Sequence, residues 1–210
     1  LKSVRVFFTK KGDLRFISHL DMNRFFTRVL RKSGLPIWYT EGFNPHPYIA
    51  FALPLSLGFE SDFEILDFKL TDDNFPTEKV KEALEKVLPC GITVKKVAEP
   101  VLKVGKIAFA GYDIIFEGSD IAKKFFEFIN APTVNITKKT KKGELKELEV
   151  SSKITNKRCS ENIVSVVLTA GNDNINPANI VENFAESAME EISVRYLRTR
   201  VYDEQKQEFK

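Results

Sequence analysis

Apolar positions along this chain recur with two different periods, and the changes between them mark out the elements. The opening stretch SVRVFFTKKG reads as a strand ending at Gly12. Next comes ISHLDMNRFFTRVLRKSGLP, in which Met22, Phe25, Phe26, Val29 and Leu30 keep one apolar face at helical spacing. Ser18 stands where an N-cap is needed and Asp21 follows three residues later, a variant of the capping box. Gly34 and Pro36 end this helix. Residues 38–47 are rich in turn formers, with Gly42, Pro45 and Pro47. YIAFALPL at 48–55 reads as a strand whose end Pro54 confines to a sheet edge. FEILDFKL at 63–70 is a second strand, followed by a helix over 77–88 and a strand over 91–98.

After a short linker at 99–105 the order begins again. Strands are predicted at 106–117, 133–138, 145–152, 162–169 and 192–201, and helices at 120–130 and 177–190. Pro177 suits the first position of the last helix. The expected fold is α+β, with two ferredoxin-like β-α-β-β-α-β units in tandem, the second carrying an additional strand or hairpin. The expected domains are residues 1–100 and 101–210.

Charge is distributed less evenly than the formal +3 implies. Residues 1–48 carry nine Lys/Arg against three Asp/Glu, and residues 137–158 carry eight against three. Two basic patches on a near-neutral body fit a phosphate-binding surface, and they also fit solvated faces. The 18 Phe fall mostly in periodic segments, which points to core packing. Cys90 and Cys159 are too few for a disulfide framework or a cysteine-ligated cluster, so no metal and no cofactor are expected. No signal-peptide pattern and no run of 18 apolar residues is present, which predicts a cytoplasmic chain with no membrane partner.

The sharpest candidate feature is the first helix. Arg24, Arg28 and Arg31 share the face opposite its apolar stripe, where guanidinium groups could grip phosphate. The plain alternative is a solvated face with Asp21 paired to Arg24. His19 and His46, the two histidines, and Asp21 are candidate acid–base residues, and with Asn44 they could form one polar cluster if the 38–47 loop folds back over the helix start. Tyr39, Phe43 and Tyr48 interleave with polar residues as base-stacking side chains do, or they fill space beneath the loop. Lys138, Lys139, Lys141 and Lys142 form a basic hairpin suited to phosphate contact. On the last strand Arg198 and Arg200 share a face and Arg195 takes the other.

The stretch LRFISHLDMNRFFTRVLRKSGLPIWYTEGFNPHPYIAFALPLSLGFES, with KKTKKGELKELEV, INPANIVENF and RTRVY further on, resembles the radical-SAM-linked protein family, also called the DUF2344 domain. The signature carried onto this chain comprises Ser18, His19, Asp21, Arg24, Arg28, Gly42, Phe43, Asn44, Pro45, His46 and Pro47. Lys32 stands where an arginine is common, a departure that keeps the charge. Members occur fused to a radical-SAM domain or encoded beside one, so the resemblance implies a radical-SAM protein as partner.

Three functions are compatible with these residues. The first is a non-catalytic accessory module that works with a radical-SAM protein and binds transfer or ribosomal RNA for modification. The second is a protein-interaction scaffold without RNA binding. The third is a metal-independent ribonuclease using His19 or His46.

Overall fold

Strand β1 (Lys2–Lys10) turns its alternate residues Val4, Val6 and Phe8 into the core. Helix α1 (His19–Lys32) lies over them and buries Met22, Phe26, Val29 and Leu30. Its Phe26 ring stands 5.0 Å from Phe8 and 5.7 Å from Phe51, a tilted and an edge contact of the kind aromatic pairs favour. The start of α1 is capped as its sequence predicts, for Ser18 Oγ accepts the Asp21 N–H at 3.1 Å. The same hydroxyl donates to Asp21 Oδ2 at 2.7 Å. At the far end Gly34 adopts φ +71°, a conformation that costs glycine little and any side-chain-bearing residue more.

The computed structural model describes residues 1–139 and 145–210, with the backbone alone described at Lys138, Lys139 and Leu145. The chain divides into one unit of residues 1–107 with 209–210 and a second of residues 108–208. Both mix helix and strand, giving an α+β protein.

In the first unit β1 and α1 are followed by β2 (Ile49–Phe51), β3 (Phe59–Leu70), α2 (Thr77–Glu85) and β4 (Ile92–Ala98). The strand order is β4-β1-β3-β2, with every neighbouring pair antiparallel. Register decides which side chain faces which way. Ile49 and Phe51 stand opposite Phe68 and Leu66, on the face that packs under α1 and α2. Ala50 stands opposite Asp67, and Asp67 opposite Arg5, on the other face. β2 is shorter than the predicted 48–55 strand and ends at Phe51, with an Ala52 N–H to Ile65 carbonyl bond just beyond it. β3 is longer than predicted and begins at Phe59.

The second unit holds β5 (Ile107–Phe116, its first residue at the boundary), α3 (Ser119–Ile129), β6 (Asn135–Lys139), β7 (Leu145–Glu149), β8 (Ile154–Ser160), β9 (Ile163–Thr169), α4 (Pro177–Ala188) and β10 (Val194–Asp203). Its sheet runs β10-β5-β9-β8, while β6 and β7 pair apart from it as a separate two-stranded sheet. Phe125 joins α3 to the rest, 5.1 Å from Phe116 and 5.4 Å from Phe184. Asn183 of α4 ties down the hairpin, accepting the Thr137 N–H at 2.7 Å.

The predicted strand at 145–152 ends at Glu149, and β8 is a strand that periodicity alone does not reveal. Its sequence ITNKRCS buries only Ile154, and Asn156 takes φ +49° beside a register shift between Thr155 and Arg158. A bulge of this kind interrupts the two-residue alternation by which strands are recognised.

Candidate functional site

The polar face of α1 overlooks the chain that enters β2, and a cleft of about 670 Å³ opens between them. Asn23, Arg24, Thr27 and Arg28 form its helix wall, and His46 and Tyr48 stand opposite with Pro47 and Ile49. Arg24 Nη1 meets Asp21 Oδ1 at 3.2 Å in an exposed pair. The Ser18 hydroxyl, and after it Arg24 and Arg28, hold the Asp21 carboxyl below the ordinary carboxylate value. Arg28 Nε donates to the Arg24 carbonyl, and among the described residues no carboxylate bridges Arg28 or Arg31. Such a wall offers planar guanidinium forks whose donors match the geometry of a phosphate or carboxylate.

The opposite wall is held by a small loop. Thr40 N–H donates to the His46 carbonyl at 2.9 Å, and the His46 N–H donates to Thr40 Oγ1. His46 Nδ1 lies 3.0 Å from the Asn44 carbonyl and 3.2 Å from Thr40 Oγ1, which fixes the ring against the loop. Phe43 at the loop tip is fully exposed, and Tyr39 is partly so. Gly42 beside it adopts φ +118°, which suits glycine and few other residues.

Tyr48 is braced from behind. Its ring centroid is 6.1 Å from that of Trp38, and Lys69 Nζ sits 5.0 Å from the Tyr48 ring and 5.2 Å from the Trp38 ring. A cation over two rings holds the aromatic pair in place. Beyond Tyr48, on the face of β1 and β3 away from α1, a second cavity of about 550 Å³ is lined by Arg5, Ala50, Asp67, Lys69 and Lys103. Arg5 is 1% exposed and grips Asp67 through two bonds of 2.7 Å, while Nη1 donates to the Lys210 carbonyl at 2.8 Å. Spacing along the chain gave no hint of Arg5–Asp67, because its partners lie 62 residues apart and meet only through strand register.

The two histidines line different hollows. His46 faces the cleft, whereas His19 lines a small depression with Lys10, Met22, Phe51, Leu55 and Glu64. His19 stacks edge-on against Phe51 at 5.4 Å, and its ring lies 3.0 Å from the Asn23 amide. Asp21 turns to Ser18 and Arg24, and the Asn44 carbonyl turns to His46. No group of three potential metal ligands occurs among the described residues.

Elsewhere, Lys138 and Lys139 lie on β6, their backbones opposite Lys146 and Leu145, and Lys141 and Lys142 lie outside the described residues. Arg198 is buried, whereas Arg200 is exposed and pairs with Glu208 at 2.9 Å. No helix among the described residues is long and apolar enough to cross a membrane.

The profile of the DUF2344 family, described as an uncharacterized protein conserved in bacteria, matches residues 3–195. The chain belongs to the DUF2344 family. That span takes in α1, the 38–47 loop, the cleft and all but the end of the second unit. No curated protein matches the chain.

Proposed function

We propose that this DUF2344 protein is a non-catalytic, RNA-handling accessory module built from two tandem ferredoxin-like units, the second with an added hairpin. The observation that carries the RNA reading is the cleft in which Arg24 and Arg28 face His46 and Tyr48. Its volume is that of a ligand site, its helix wall is cationic, and the aromatic residue Tyr48 lies on its border. Phosphate on the guanidinium groups and a base against Tyr48 is the combination single-stranded RNA requires. Arg31, Tyr39, Phe43 and Asn44 extend this surface along the helix and loop, and the lysines of the hairpin form a second phosphate contact. The strand order β4-β1-β3-β2, repeated as β10-β5-β9-β8, supports the tandem ferredoxin-like reading.

The partner is a radical-SAM protein, the source of redox chemistry for a chain with only two cysteines. The alternative, a protein-interaction scaffold without RNA binding, is supported by one observation. Phe16, Leu20 and Leu57 are each about 60% exposed around the start of α1, where Gly58 N–H donates to the Arg15 carbonyl. His19 and His46 line separate hollows, so a ribonuclease acting in the cleft would rely on His46.

The test is fluorescence anisotropy of a labelled single-stranded oligoribonucleotide over a range of salt, with Arg24→Ala/Arg28→Ala alongside. Loss of two phosphate contacts is expected to reduce the slope of log K against log salt by about 1.4. An unchanged slope and affinity in a folded double variant would remove the cleft from consideration and leave the scaffold reading.

A further inference from the structure

The cleft and the second cavity share one lining residue, Tyr48. The next two residues divide between them, Ile49 lining the first and Ala50 the second. Strand alternation explains this division, because Ile49 belongs to the face under α1 and Ala50 to the opposite face. The two hollows therefore open on opposite faces of the sheet and meet at the entry to β2. Their chemistry differs as well. The first presents Arg24 and Arg28. The second presents the Asp67 carboxylate, already held by Arg5 on one edge, with Lys69 and Lys103 near it. A carboxylate is a poor host for phosphate, but its remaining lone pairs accept from the hydroxyl or amino group of a nucleoside.

Resting on the RNA reading above, we infer that the site takes a flexible single strand that bends around the sheet edge at Tyr48, with one nucleotide's phosphate in the cleft and the nucleoside of the next nucleotide in the Arg5–Asp67 cavity. A ligand that occupies both hollows must turn from one face of the sheet to the other within about one residue of β2. A single strand can make that turn. A duplex, with a persistence length of about 150 base pairs, cannot. Tyr48 is the pivot, and its bracing by Lys69 and Trp38 gives the turning strand a fixed ring to stack on.

The experiment measures binding of 5′-phosphorylated uridine mono-, di- and trinucleotides to the full chain, with a blunt RNA duplex as competitor. The wild type is expected to bind the dinucleotide about tenfold or more tighter than the mononucleotide, and to prefer single strand over duplex by a similar factor. Ala50→Leu fills the second cavity without touching the guanidinium groups of the first, so it should keep mononucleotide affinity and lose the dinucleotide gain. Lys103→Glu, at an exposed position, serves as a second variant and should reduce the same gain. Equal affinity for mono- and dinucleotide, a gain that survives both variants, or a duplex that competes as well as the single strand would overturn the wrapped path. Mononucleotide binding that is itself indifferent to Arg24→Ala/Arg28→Ala would instead overturn the parent reading of the cleft.

Discussion

Helices α1 and α3 are each the first α-helix of their unit, yet they spend their polar faces differently. Both bury an apolar stripe, Met22, Phe26, Val29 and Leu30 in one and Ala122, Phe125 and Ile129 in the other. On α3 the cations are matched, Lys123 with Asp120 at 3.9 Å and Lys124 with Glu190 at 3.4 Å. On α1 only Arg24 meets a carboxylate among the described residues, and a cleft lies alongside. The caps differ too, since α1 has the Ser18 hydroxyl and α3 starts from Gly118, which has no side chain to offer. A helix whose charges are satisfied within its own unit serves packing. One whose charges stay available beside a cavity can serve a ligand.

The comparison breaks first at the core, where the two helices should behave alike. Phe26→Ala and Phe125→Ala are each expected to cost about 3–5 kcal/mol, read as a lowered urea midpoint at unchanged m-value. A clear inequality would mean that one apolar stripe is less committed to packing than its burial implies. Binding should separate the helices most cleanly. Arg24→Ala/Arg28→Ala is expected to weaken single-stranded RNA binding about tenfold or more, and Lys123→Ala/Lys124→Ala less than about twofold. Equal losses would erase the distinction between a matched and an available cationic face.

Smaller effects sharpen the same contrast. Ser18→Ala should cost about 1 kcal/mol by thermal or chemical denaturation, whereas Gly118→Ser should stabilise by a few tenths. Nothing lies within 4 Å of a Cβ built at Gly118, so the replacement has room. The smallest effect is titration of Asp21, whose folded carboxyl ionises below its ordinary value of 3.8. A depressed folded value means that its stabilising contribution is present above that ordinary value and disappears as pH falls through the folded one. The stability difference between wild type and Asp21→Asn should therefore close below about pH 4, while Asp21→Asn binds RNA more tightly at neutral pH because a carboxylate has left the cleft edge.

What could be read ahead of the structure was local. The Ser18 cap, the apolar stripe of α1 and the shared face of Arg24, Arg28 and Arg31 follow from spacing within one helix. The element order of the first unit was legible for the same reason. The partners of these residues were not. Tyr48 owes its bracing to Lys69, a residue of the neighbouring strand, and Arg5 owes its burial to Asp67 and to residues 209–210. Strand β8 escaped because an edge strand with a bulge carries little periodic signal. Separation of the two histidines depended on how the 38–47 loop closes through Thr40 and His46, which composition does not encode.

The return of residues 209–210 to the first unit bears on how this protein can be taken apart. The chain leaves that unit at residue 107 and rejoins it at Phe209, whose ring lies 5.0 Å from the Arg5 guanidinium, while the Lys210 carbonyl accepts from Arg5 Nη1. The second unit is thus threaded into the first as an insertion, although each looks like a separable segment when the sequence is drawn as a line. A gene fragment stopped at residue 107 yields a first unit whose buried arginine has lost two neighbours. Splicing 209–210 back through a short linker would return both neighbours to Arg5.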